Sequence, residues 1–415
     1  MTDVTTRTTT ATDPTPSLWS RTVEVDHAAA GAVLSGGEWC WLAPDVELAG
    51  WGSAAQLTPD DEATRAAAAG ALTRRFATIV SERDLPGPVA FASLTFDPAA
   101  VGSVLVIPRT VVRRRDGRAW LTVVGDRPVA DADLRLPDPP PPPRASQRVR
   151  YAGASAAEIA WLDAVDRAVR RIRAGDVEKV VLARDRLVYS DQPFDLGALA
   201  LRLRARFPDC FTFRVAGLVG ASPELLIRRA GDQVRSLVLA GTARRGVDDT
   251  EDRRIGDDLL ASAKDLAEHR PAVVSVRATL EPLTARLDVE VSPHLLRLAN
   301  VQHLATSVMG TLASPVDALA LAQRLHPTAA VGGTPTARAL ELISELETID
   351  RGRYAGPVGW VDAAGDGELA IALRCAQIDG TRARLFAGAG IVGDSLPESE
   401  LEETRLKLRA MQSAF

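Results

Sequence analysis

The sequence predicts an α+β protein, and two observations carry that expectation. Short apolar runs bounded by Gly, Pro or Asp recur in both halves of the chain, as in GPVAFASLTFDP, EKVVLARDRLVYS and GPVGWVDAAG. Between them lie stretches whose apolar residues repeat at helical spacing, as in residues 158–173 and in the C-terminal stretch from about Pro397. The turn signals are tight, which suits antiparallel neighbours.

Residues 1–20, MTDVTTRTTTATDPTPSLWS, are polar and Thr-rich and predict a disordered tail. Residues 21–136 read as short strands around one helix, DDEATRAAAAGALTRRFATIVSE. Arg-Asp-Gly-Arg, between TVVRR and AWLTVVG, predicts a hairpin. Residues 137–150 contain Pro137 and the run Pro139–Pro143, an extended connector that cannot be helix or central strand. Residues 151–415 open on a helix. Ser155 and Glu158 have capping-box spacing, Ile159, Leu162, Val165, Val169 and Ile172 form the apolar stripe, and Gly175 is the stop. EKVVLARDRLVYS, CFTFRVAGLVG, PELLIRRAG and QVRSLVLAG predict strands. Two helices follow, with a turn expected near Lys264-Asp265 and Pro271 in the first turn of the second. GPVGWVDAAG, ELAIALRCAQIDG and RARLFAGAGIV read as strands. Ser395 and Glu398 have capping-box spacing before the last helix.

Composition excludes several classes. A chain of 415 residues suits about three domains at roughly 150 residues each, or one large domain. Net charge is −5 with no basic block, which argues against nucleic acid. No apolar run approaches the roughly 18 residues that span a bilayer, and the N-terminus has no apolar signal core. Cys40, Cys210 and Cys375 are scattered and form no CxxC pair, so neither a disulfide framework nor a zinc site is expected. These readings predict a cytoplasmic protein.

Lysine is scarce. Lys and Arg total 49, yet the only lysines are Lys179, Lys264 and Lys407. Lys can lose its proton and act as a base, which Arg cannot. Surviving lysines are therefore candidates for chemistry. In the C-terminal helix, Glu400, Glu403 and Lys407 share one face and Leu401, Leu408 and Met411 another. A solvated stripe with a Glu403–Lys407 pair is one reading. A carboxylate pair for a hard cation such as Mg²⁺ is the other. AGAGIVGDS and VLAGTARRG offer glycines at which backbone N–H groups could cradle an anion.

In order along the chain, EKVVLAR, ASPELL, LVLAGTARRG, LLASAKDLAEH, VQHLAT, HPTAAVGGTP, RGRYAGPVGW, IALRCAQI, AGAGIVGDS and ESELEETRLK resemble the chorismate-utilising enzymes. About 260 residues carry the likeness, which is most similar to isochorismate synthases of menaquinone or siderophore pathways. It implies one large α+β domain of antiparallel sheets wrapped by helices, with the site between the two layers. It also implies Mg²⁺-dependent isomerisation of chorismate, by water attack at C2 with loss of the 4-hydroxyl.

Residue by residue, the resemblance makes Lys179 the general base and Glu224 the general acid. Glu268 and Glu403 become Mg²⁺ ligands, with Glu400 acting through water. Arg374, Lys407, Gly388 and the backbone at Gly241 and Thr242 meet substrate carboxylates. His303, Ala330, Tyr354 and Leu373 are pocket walls. Ala329 departs from the family, where proline is frequent. Two related reactions stand as alternatives: salicylate synthesis, and amination by anthranilate or aminodeoxychorismate synthases. Ala240 stands where an aminodeoxychorismate synthase would carry Lys, and Ala330 where amination enzymes tend to carry Thr or Ser. The expected partner is chorismate, and the expected enzyme is a monomer with no amidotransferase subunit, nucleic acid or membrane.

Overall fold

Two antiparallel sheets, one of 13 strands and one of 10, stack face to face in the computed structural model. It describes residues 18–81, 85–141 and 148–415. The larger sheet runs from Val149–Tyr151 through Lys179–Ser190, Arg382–Ile391, Cys375–Asp379, Leu218–Ser222 and Phe211–Val215 into N-terminal strands such as Trp39–Leu42 and Thr110–Arg115. The smaller runs from Thr284–Val289 through Val301–Leu312, Gln233–Arg244, Leu225–Ala230, Gly367–Ile371 and Pro357–Asp362 to Val89–Ser93, Val104–Ile107 and Ala55–Leu57. Strands from before and after the proline-rich segment thus share both sheets, which makes one α+β domain.

Apolar side chains on the facing surfaces bury each other, the main drive for sheet stacking. Trp41 and Phe213 of the larger sheet and Phe91, Leu105 and Ile227 of the smaller belong to one continuous core. Trp41 Nε1–H donates to Glu368 Oε2 at 2.9 Å, so the one polar atom of that ring has a partner. A second core lies where helix Leu196–Arg206 and the end of the C-terminal helix cover the larger sheet, with Leu199, Leu203, Leu408 and Met411 buried.

Much of the local reading holds. The expected hairpin is Thr110–Arg115 and Arg118–Gly125, with Asp116 and Gly117 both at positive φ, the pair of conformations its turn needs. Helix Glu62–Ala77 forms as expected. Gly175 ends helix Glu158–Arg173 at φ +81°. Residues 1–17 of the expected tail and residues 142–147 of the connector lie outside the described residues; Leu18–Ser20 are already strand.

Several local expectations fail. Neither expected capping box forms. Ser155 instead donates N–H and Oγ–H to Asp185, and Glu158 pairs with Arg184 and Arg405. Ser395 Oγ accepts from Val392 N–H. Ile159, read as part of the buried stripe, is 73% exposed. The break between the two middle helices falls at Ser262, whose side chain caps helix Ala263–Leu280. Lys264 and Asp265 are therefore in its first turn, and Pro271 sits inside it. ELAIALRCAQIDG is two strands, Gly367–Ile371 and Cys375–Asp379, in different sheets.

Candidate active site

Two places where the chain leaves one sheet for the other build the floor of the main cavity. Leu218–Ser222 lies in the larger sheet and Leu225–Ala230 in the smaller, so Pro223 and Glu224 are the crossing. Ala372, Leu373 and Arg374 make the return crossing between Gly367–Ile371 and Cys375–Asp379. Arg374 holds φ +47° there, an uncommon conformation for a residue with a side chain. Between these corners lies a cavity whose free space, open mouth included, is about 670 Å³.

Glu224 is 4% exposed. Burial raises its pKa to about 8, against the opposing pull of the Leu239 N–H and the positive charges of Lys179, Lys407 and Arg374. At neutral pH this carboxyl carries a proton, the state of an acid rather than a base. Across the corner, Arg374 Nη2 donates to His303 Nε2 at 2.5 Å, while its buried Nη1 has no partner. An orphaned guanidinium nitrogen at a cavity wall is a docking point for an anion. Burial, then Arg374 and Lys407, hold the His303 pKa well below its usual value. The ring is therefore neutral. Because Nε2 accepts, Nδ1 carries the proton and faces Thr242 Oγ1 at 3.1 Å and Gly241 C=O at 3.3 Å.

Gly241 and Thr242 reach the cavity through a bulge. Strand Gln233–Arg244 slips register against Val301–Leu312 between Ala240 and Thr242, and Gly241 adopts φ +79°. His269 fastens the neighbouring helix to this bulge. Its Nδ1 is 3.1 Å from Ala240 C=O, and its Nε2 is 2.8 Å from Thr306 Oγ1. Burial lowers its pKa to about 4, so it is a neutral clamp. Strand Arg382–Ile391 supplies Gly388 and Gly390 to the wall. A Cβ on Gly390 would meet the Glu268 carboxylate and Lys179 Cε, so a side chain there would push both groups from their places. Tyr354 stacks on Phe386 at 5.0 Å, and Ala330 and Leu373 complete the apolar side.

The three lysines meet three acids. Lys179, 1% exposed, lies just beneath the wall, where its Nζ is 3.4 Å from Glu268 Oε1 and donates to Glu268 C=O at 3.1 Å. Lys264 binds Glu400 at 2.8 Å. Lys407 binds Glu403 at 2.6 Å and donates to Gly388 C=O at 3.0 Å. Glu268 and Lys407 line the cavity; Lys179, Glu400 and Glu403 stand behind it. Among the described residues, no three His, Cys, Asp or Glu side chains converge closely enough to cage a metal by themselves.

A family model described as chorismate binding enzyme matches residues 11–415. The chain belongs to the chorismate-binding enzymes. It is 36% identical over 358 residues to isochorismate synthase MenF of Bacillus subtilis, covering 79% of this chain and 75% of that one. It superposes with a TM-score of 0.79 on the menaquinone-specific isochorismate synthase MenF of Escherichia coli, at 26% identity over 96% of this chain and 95% of that one. A 2,3-dihydroxybenzoate-specific isochorismate synthase, DhbC, of Bacillus anthracis gives the same TM-score at 29% identity, over 94% and 99% of the chains.

Two residues beside this cavity escaped the sequence reading. Asp265 is mostly buried, and its pKa is raised first by burial and also by Glu403 and Glu400. It is therefore a fourth acid in the same field. Its spacing of three from Glu268 on one helix was the available signal, masked by the turn expected at that point. His269 was visible only as the second letter of an Glu-His pair, with nothing to show what it would hold.

Proposed function

We propose that this protein is an isochorismate synthase. Chorismate carries two carboxylates, and the site offers the unpartnered Arg374 Nη1, the Lys407 ammonium and the bulged backbone at Gly241–Thr242 to receive them. The observation that carries the reaction is Glu224, a cavity residue protonated at neutral pH, lying in the electrostatic field of the buried Lys179. Lys179, the general base, takes a proton from the water that forms a bond to C2. Glu224 gives its proton to the 4-hydroxyl, which leaves as water while the ring double bonds shift. One water enters and one departs, so the product is an isomer. The neutral His303 tautomer keeps Arg374 aimed into the cavity.

The residues fit Mg²⁺. The donors are carboxylate oxygens on two helices, and Mg²⁺ commonly uses one or two protein carboxylates, with waters and substrate oxygens completing its shell. A cage of three ligands is therefore not required. Glu268 and Glu403 would hold the ion and Glu400 would act through water. Bound there, Mg²⁺ would supply positive charge to the substrate carboxylate.

Ala240 places only a methyl group where an aminodeoxychorismate synthase would carry Lys, and Ala330 one where amination enzymes tend to carry Thr or Ser, which supports water as the nucleophile. Incubation of the purified chain with chorismate and Mg²⁺, with products separated by chromatography, is expected to yield isochorismate without glutamine or a second subunit. Excess chelator should abolish turnover and added Mg²⁺ restore it. A predominantly aminated product in ammonium salts, release of salicylate, or full activity in chelator would overturn the proposal.

A further inference from the structure

Behind the cavity wall lies a buried ion pair that neither substrate binding nor the proton transfers use. Glu347 and Arg351 side chains are each 4% exposed. Arg351 Nε donates to Glu347 Oε2 at 2.9 Å, Nη1 to Val331 C=O at 2.9 Å, and Nη2 to Val181 C=O at 2.7 Å. Glu347 Oε1 accepts from Ala183 N–H at 2.7 Å. The Phe96 ring lies 4.1 Å from the guanidinium.

The register shows what these bonds replace. Strand Lys179–Ser190 is paired along one edge by Arg382–Ile391. Its other edge meets Gly333–Thr334 at Lys179 and Val180 and Gly332 C=O at Val181 N–H, and is paired again only from Leu187 on, by Gly153, Ala152 and strand Val149–Tyr151. The Val181 carbonyl and Ala183 amide come next on that edge, where a neighbouring strand would have bonded them. Arg351 takes the carbonyl and Glu347 the amide, so the ion pair occupies the gap between two backbone-paired stretches of that edge.

Burying two charges is expensive, and apolar replacements of similar volume are often as stable. A stability role alone does not account for the pair. Val181 and Val331 both line the substrate cavity, and Lys179 is two residues from Val181. Arg351 bridges the two carbonyls and so fixes the spacing between the strand that bears the base and the turn that bears Ala330. We propose that Glu347 and Arg351 are positioning residues for Lys179. They touch no substrate and act by holding the edge of its strand. This rests on the reaction proposed above.

The test uses the full chain. Lys is too compact a donor to reach both carbonyls and Glu347 at once, so Arg351→Lys is expected to lower kcat by about 10–100-fold, as misplacement of a reacting group does. KM for chorismate should stay within about threefold of wild type, because the carboxylate contacts are elsewhere. A second variant exploits the neighbouring cavity, which Phe96, Asp97, Ser344, Asp350 and Arg351 line. In Arg351→Gly, millimolar guanidinium should enter there and raise kcat, whereas ammonium should not. An Arg351→Lys enzyme within twofold of wild-type kcat overturns the proposal. So does guanidinium that raises the melting temperature of Arg351→Gly without raising kcat, or failure of both variants to fold. Should wild type make no isochorismate, the reaction itself is wrong; wild-type activity with an indifferent Arg351 condemns only the positioning role.

Discussion

Lys179→Arg is expected to bind chorismate and to turn it over roughly 10²–10⁴-fold more slowly, the usual worth of a positioned base. Arg keeps a positive charge opposite Glu268 but does not deprotonate near neutral pH. The variant therefore separates a base from an electrostatic anchor. The side chain is 1% exposed and its Cε lies close under Gly390, so the larger guanidinium must also be accommodated. Lys179→Ala controls for this: it makes room, removes the base, and should lose at least as much rate. Steady-state kinetics with a thermal melt for each variant checks both. A Lys179→Arg enzyme within a few fold of wild-type kcat would make the lysine an anchor only.

Glu224→Gln should cost a comparable factor, about 10²–10⁴ in kcat, by removing the proton for the departing hydroxyl. The pKa of about 8 sets the pH dependence. Wild-type turnover should fall as pH rises through about 8 and the acid is lost. Stability follows the same sign. A free Glu titrates near 4.3, so the folded state binds this proton more tightly than the unfolded chain does. The contribution to stability is fully present below the unfolded pKa and is lost as pH rises through about 8. Gln is neutral at every pH. Glu224→Gln should therefore melt with a weaker decline between about pH 4 and 8, a range spanning the free and the raised value. Melting curves across that range, read beside kcat, separate the acid from a merely buried polar group. A variant that keeps wild-type kcat, or whose melting follows pH as wild type does, contradicts this assignment.

The strands and helices were legible because their signals are local. Arg-Asp-Gly-Arg specifies its own turn, and Gly175 its own stop. The scarcity of lysine was also legible, and each lysine meets an acid in the folded chain. What the sequence hid is non-local. ELAIALRCAQI is mostly apolar and unbroken by Gly or Pro, so its pattern carries no clear mark of the crossing at Arg374, which only the two-sheet arrangement imposes. The capping boxes failed because Ser155 and Ser395 found partners in Asp185 and Val392, which no spacing rule includes. The role of Arg351 depends on two carbonyls far away in sequence, at Val181 and Val331. Lys179 and Glu224 were named through resemblance, and the burial that raises the Glu224 pKa could only come from the fold.

The central claim is that water from solvent attacks C2 while the original 4-hydroxyl departs, driven by Lys179 and Glu224. Turnover of chorismate in ¹⁸O-enriched water, followed by mass spectrometry of the isochorismate, tests it most directly. One ¹⁸O per product, located at C2, is the predicted result. Isochorismate that retains only the oxygen of the original hydroxyl would contradict it.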